Sequence, residues 1–189
     1  MTGQALAQLG NGGTTYSSVA RMQDRSVGFM PRFVELTRAG IAANAALLAS
    51  LGLAEEAKRA SSLSEGFVAE TTPGKVEAVV GSAAAAHQQL VRKLAARPGL
   101  DDANKAVFAA GALALAQAAT GYSAMTENFS ATKKALRDAG ASGRIALFAA
   151  KTMPETTAQL RQELKAVVEF AKANNIALAP EVNEAAGAM

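Results

Sequence analysis

Apolar residues recur along the chain at three- and four-residue spacing, and no segment alternates with period two over a convincing length. This spacing marks one face of an α-helix, so the pattern predicts helices and no sheet. We therefore expect one all-α bundle of about six helices. They are predicted over about 31–51, 54–69, 73–96, from Asp101 onward, over 144–152, and from Pro154 to about Asn174.

Several helix ends carry local signals. Thr72 and Pro73 suit the N-cap and the first helical position, and the helix they start should stop at Pro98. Asp101 and Asp102 place negative charge at the positive end of the next helix dipole. The pattern also predicts a break over 139–143 and separate helices on either side of Met153. By domain, residues 1–18 are expected as a flexible lead-in, 19–180 as the bundle and 181–189 as a frayed tail.

The stretch Ala106–Thr126 contains no charged residue. Its length is enough to cross a bilayer, but Gln117, Thr120 and Gly121 interrupt its apolar character. A helix that is apolar all round is usually the central helix of a bundle. The prediction is a buried central helix, most buried over 106–119, with a membrane span as the alternative.

Composition excludes several kinds of chemistry. The 189 residues include 46 alanines and 9 aromatics, but only one histidine and no cysteine. Disulfides, thiolate metal sites and multi-histidine metal sites are therefore ruled out, and no nucleotide-binding or catalytic motif is present. The net charge of +3 is scattered and forms no basic stripe, which argues against nucleic acid as a partner. We expect a protein that is not an enzyme and uses no cofactor or metal.

The alanine excess supports two interpretations. Small side chains let helices approach closely and form a dense core. Alternatively, they leave an apolar cavity that the few large side chains only partly fill. The residues predicted to line such a ligand cavity are Phe33, Phe108, Leu115, Tyr122, Met125, Phe129 and Phe148, with His87 or Tyr122 to meet a ligand hydroxyl.

Two polar residues stand on predicted apolar helix faces. His87 shares its face with Val76, Val80 and Leu90, and Asn44 lies between Gly40 and Leu47. A lone imidazole in this position is most often a hydrogen-bonded core residue. The alternative is a polar contact for the head group of an apolar ligand. For Asn44 the two interpretations are a buried amide that fixes helix register and a ligand contact.

The C-terminal stretch from Leu160 to Pro180, with its sequence Glu-Phe-Ala-Lys-Ala-Asn-Asn-Ile, resembles the last helix of small helical proteins exported to the Gram-negative periplasm. As a whole the chain resembles the helical lipoprotein component of bacterial sterol-transport systems. That resemblance implies an apolar cavity that carries a sterol between inner and outer membranes. It also implies a periplasmic location, a lipid anchor and partner transport proteins. The N-terminus departs from this family, since it has neither a signal peptide nor a cysteine for lipidation.

Two functions follow as expectations. The first is a periplasmic bundle that binds and carries a sterol or similar lipid without chemistry. The second is a structural protein whose amphipathic helices coat a surface or partner, as phasins coat polymer granules. A carrier should be compact and enclose a cavity, whereas a coat protein should expose apolar stripes and assemble.

Overall fold

The computed structural model describes residues 28–68, 72–96, 99–138 and 140–188. Within these ranges the chain is all-α and contains no strand, which confirms the predicted fold class. The predicted lead-in over 1–18 lies outside them. The described residues form six helices: α1 (Phe29–Ser50), α2 (Ala54–Glu65), α3 (Pro73–Ala95), α4 (Asp102–Asp138), α5 (Gly140–Ala173) and α6 (Pro180–Ala188).

The predicted helix starts at Thr72 and Asp101 are confirmed. The Thr72 hydroxyl accepts a hydrogen bond from the Lys75 backbone N–H at 3.3 Å, with Pro73 in the first turn. Asp101 accepts from the Asn104 backbone N–H at 2.7 Å. Both side chains satisfy backbone donors that lack a partner within the helix.

Two helices end in left-handed residues. Gly52 has φ 76° after α1, and Asn175 has φ 53° after α5. In each case the next N–H bonds back to the helix: Leu53 to the Leu48 carbonyl and Ile176 to the Ala171 carbonyl. This is the hydrogen-bond pattern of a Schellman C-cap, which glycine and asparagine favour. The predicted end of α5 near Asn174 is therefore confirmed.

The bundle is organised around α4. This helix packs most extensively against α1 and α5, while α3 covers α5 and α2 covers α1. Helices α1 and α4 run antiparallel, since a Cβ placed on Gly121 would meet Leu36 and one placed on Gly111 would meet Leu47. Glycine at both points allows the two backbones to approach closely.

Helix α4 is buried on one side only, which corrects the expectation of a helix buried all round. Phe108, Leu115 and Ala119 are fully buried, but Val107 is 44% exposed and Ala110 is also exposed. Asp102–Phe129 is long and apolar enough to cross a membrane by length and composition, and 44% of its most apolar window is buried. Exposed alanine costs little because its side chain has little apolar area, so a charge-free sequence does not require complete burial.

The two helices predicted around Met153 form one continuous helix, α5, with Pro154 inside it. Proline in a helix interior removes one hydrogen bond and costs about 3 kcal/mol. Here Pro154 is exposed, while Met153 before it and Leu160 after it are buried in the same core. Packing of both halves thus maintains a helix that local sequence alone would end.

The predicted frayed tail is also wrong. Residues 180–188 form helix α6, which begins at Pro180 and packs on α4 and α5. Val182 and Ala185, three residues apart on one helical face, are buried. Burial of these side chains holds the helix in place, although nine residues would be too short to be stable alone.

Candidate functional site

The residues predicted to line a ligand cavity lie in the core. Phe33, Phe108, Leu115 and Tyr122 are at most 1% exposed, and Met125, Phe129 and Phe148 are partly buried. Phe33 and Tyr122 pack edge to face with ring centroids 6.1 Å apart, whereas Phe108 pairs with Phe170 at 5.0 Å. These contacts make the predicted wall residues parts of a dense core.

A small space remains where α1, α3, α4 and α5 meet. Its lining includes Thr37, Ile41, His87, Tyr122 and Thr156. It holds about 10 Å³, which is room for one water molecule and far less than the 300–1,000 Å³ of a typical ligand pocket. This space therefore does not supply the expected sterol slot.

The Tyr122 hydroxyl is already engaged inside the protein. Thr37 Oγ1 donates its proton to the Phe33 carbonyl at 2.7 Å, so in its close hydrogen bond with Tyr122 the tyrosine hydroxyl is the donor. Burial raises the pKa of Tyr122 well above its ordinary value. The predicted role of Tyr122 as a ligand contact would require this bond to break.

His87 and Asn44 lie together with a third residue, Glu163, in the polar cluster of the core. All three are at most 4% exposed and come from α3, α1 and α5 respectively. Asn44 Nδ2 donates to Glu163 Oε1 at 3.0 Å and lies 3.0 Å from His87 Nδ1. His87 Nδ1 is in close contact with Glu163 Oε2 as a buried pair. Of the cluster, Asn44 Oδ1 makes no hydrogen bond to the described residues.

Glu163 is the member of the polar cluster that sequence reasoning missed. It follows Leu160 by three residues and precedes Val167 by four, so it occupies a core position of the α5 apolar stripe. An acid at such a position is costly to bury without partners. An acid on the α5 apolar face, with a histidine and an asparagine on apolar faces of two other helices, was the sequence signal that could have indicated a buried polar cluster.

Two of the grooves on the surface of the described helices are candidate binding sites. The first, which we call the alanine groove, runs between α1 and α4, is open to solvent and has a volume of about 600 Å³. Of its 13 lining residues only Arg32, Glu35 and Gln117 are polar. The apolar members are Leu36, Ala39, Ala42, Ala43, Ala46, Val107, Ala110, Gly111, Ala114 and Ala118.

The second, the glutamine groove, lies between α3 and α5 and encloses about 220 Å³. Its lining consists of His87, Gln88, Val91, Arg92, Gln159 and Gln162. His87 thus borders both this groove and the small internal space.

Comparison with known proteins gives no relative: no protein-family model, no curated protein and no solved structure matches the chain. Among the described residues, no group of three or more His, Cys, Asp or Glu side chains is placed to hold a metal ion. The structural features that bear on function are therefore the grooves and the polar cluster.

Proposed function

We propose that this protein binds an elongated apolar molecule, a sterol or similar lipid, in the alanine groove and carries it without chemical change. The observation that supports the proposal is the groove itself. Its volume of about 600 Å³ falls within the range of ligand pockets, and ten of its 13 lining residues are apolar. The proposed lipid site is therefore this surface groove and not the internal cavity expected from the sequence.

The polarity of the groove changes along its length. Arg32 and Glu35 form an ion pair of 2.7 Å near the start of α1, and Val107 lies toward the other end of the groove, one helical turn before Gly111, which faces Ala46. From Arg32 to Ala46 the helix rises about 21 Å. A sterol has a similar division, with one hydroxyl on a rigid apolar body. We therefore orient the hydroxyl toward the Arg32–Glu35 pair.

The expected affinity is modest. Apolar burial contributes about 25 cal/mol per Å², so covering roughly 300 Å² of ligand gives about 7 kcal/mol before association costs. An open groove leaves one side of the ligand in water. A dissociation constant of 1 μM requires about 8.2 kcal/mol, so we expect binding weaker than micromolar.

The test is equilibrium titration with a panel of sterols and fatty acids. Ala110→Trp places a large side chain in the groove from an exposed helical position, and we expect binding to fall at least tenfold. Ala78→Trp makes the same change at an exposed position of α3 outside the groove and should bind normally. His87→Ala should also leave lipid binding intact. No saturable binding to any lipid would overturn the proposal.

The alternative of a coat protein uses the same surface. Exposed Ala39, Ala42 and Val107 extend along the groove rim, and an apolar face of this kind also suits self-association. Sedimentation at several concentrations distinguishes the two functions. Reversible assembly that Ala110→Glu abolishes, without lipid binding by the unmodified protein, would favour the coat.

The periplasmic location, lipid anchor and partner transport proteins belong to this proposal through the resemblance at residues 160–180. Fractionation of cells that express the natural gene tests the location directly.

A further inference from the structure

Buried contacts to one ring nitrogen, Nδ1, fix the orientation of the His87 side chain. Its Nδ1 is in close contact with Glu163 Oε2 and lies 3.0 Å from Asn44 Nδ2, and both of these residues are fully buried. Its other ring nitrogen, Nε2, makes no hydrogen bond to any residue in the part of the chain that the structure describes. A carboxylate that holds one imidazole nitrogen leaves the other available to an external group. Since His87 lines the glutamine groove, we infer that this nitrogen can reach a molecule bound there.

The proton shared by His87 and Glu163 determines what Nε2 can do. The close contact between Nδ1 and Glu163 Oε2 needs one proton between the two atoms, because two lone pairs would repel each other. When a second proton is present on Nε2, the His87–Glu163 pair has no net charge, whichever of the two residues holds the shared proton. In this state the groove gains an N–H donor without burying a net charge.

The remaining polar groups of the groove can all donate. Arg92 brings a permanent cation, and Gln88, Gln159 and Gln162 each bring an amide NH₂. No Asp or Glu lines the groove. A site with many donors and one cation is complementary to a group that only accepts hydrogen bonds and carries negative charge.

We propose that the glutamine groove is a binding site for a small oxyanion, a carboxylate or a phosphate. His87 Nε2–H and the Arg92 guanidinium are its principal donors, and Glu163 acts as a positioning residue. The volume of about 220 Å³ suits a small molecule and not a whole lipid. The site is separate from the alanine groove, since it lies on α3 and α5, and it does not depend on the lipid-binding proposal.

The single histidine makes the test direct, because the protein gives one set of imidazole resonances. Sodium acetate, inorganic phosphate and sodium chloride are titrated separately at constant pH and ionic strength while the His87 ring signals are followed by NMR. We expect a saturable shift with acetate or phosphate and none with chloride. Saturation by acetate alone identifies a carboxylate site, and saturation by phosphate alone identifies a phosphate site.

A pair of neighbouring variants tests the role of Arg92. Arg92→Gln should weaken oxyanion binding roughly tenfold, because it removes a charge-assisted hydrogen bond. Lys93→Gln removes the same charge one residue away at an exposed position outside the groove, and binding should stay within twofold. Equal weakening by both variants would indicate general charge attraction and overturn the proposal. A linear response, or the same response to chloride, would also overturn it.

The role of Glu163 is tested with Glu163→Gln, which keeps the shape of the side chain. In this variant the His87 ring signals should change and oxyanion affinity should fall, with the fold checked by far-UV dichroism. If the variant does not fold, His87→Gln serves in its place, with oxyanion binding to the variant measured by calorimetry. Unchanged oxyanion affinity in the folded variant would show that the His87–Glu163 pair takes no part in binding and would overturn the proposal.

Discussion

Helix α1 takes part in two contacts of opposite character. Toward α4 it meets glycine and alanine, with Gly111 and Gly121 facing its leucines. Toward α3 and α5 it contributes Asn44 to the polar cluster with His87 and Glu163. The first contact is mostly apolar, and the Thr37–Tyr122 hydrogen bond is its directional interaction. The second has few arrangements that satisfy its hydrogen bonds, and we infer that it fixes the register of three helices.

The difference shows how an alanine-rich bundle can remain specific. Small side chains permit close packing, but they distinguish weakly between neighbouring registers because one alanine resembles the next. Directional hydrogen bonds, from the polar cluster and between Tyr122 and Thr37, supply the distinction. The same division leaves an apolar groove on one side of α1 and polar chemistry on the other.

The largest effect is expected from breaking the polar cluster. Glu163→Ala removes the acceptor used by Asn44 and His87, and the free energy of unfolding should fall by about 3–5 kcal/mol. Urea denaturation measures the change. The matched control replaces all three residues, with Asn44→Leu, His87→Leu and Glu163→Met, and should recover most of the lost stability. A loss below about 1 kcal/mol in Glu163→Ala would contradict the importance of the cluster.

The small-residue contact should respond to added volume. A Cβ on Gly121 would lie 2.4 Å from Leu36 Cδ2, whereas one on Gly81 in α3 would meet nothing within 4 Å. Gly81→Ala should stabilise by about 0.5–1 kcal/mol through helix propensity. Gly121→Ala gains the same helix propensity, but its added methyl group overpacks against Leu36. The two variants should therefore differ by about 1–3 kcal/mol in thermal or urea unfolding. Equal stabilities would mean that α1 and α4 separate easily.

Tyr122 contacts α1 beside the small internal space and should give the smallest effect. Tyr122→Phe loses the hydrogen bond to Thr37 and about 0.5–1.5 kcal/mol. Because folding raises the pKa of Tyr122, its contribution is complete below about pH 10 and is lost as the pH rises above that value.

Alkaline titration tests the predicted rise in the pKa of Tyr122 on folding. In a Tyr16→Phe variant, Tyr122 is the sole tyrosine, and its absorbance near 295 nm reports its ionisation. We expect no tyrosinate signal until the protein unfolds. Reversible ionisation near pH 10 in the folded protein would show that Tyr122 is accessible to solvent.

Sequence alone predicted the features that depend on residues close together in the chain, such as helix starts and ends. The helix starts at Thr72 and Asp101 depend on side chains that bond to backbone groups three residues away. The end of α5 depends on Asn175 and the residues beside it. The positions of His87 and Asn44 on apolar faces also follow from helical periodicity, so their burial could be foreseen.

Tertiary structure decided the features that depend on distant residues. Asn44 reaches His87 across 43 positions of the chain and Glu163 across 119, and no local pattern specifies these pairs. Burial on the bundle also keeps α5 helical through Pro154 and holds the short helix α6 in place. The exposed side of α4 is set in the same way, because alanine is compatible with both core and surface and only the packing of α1 and α5 selects between them.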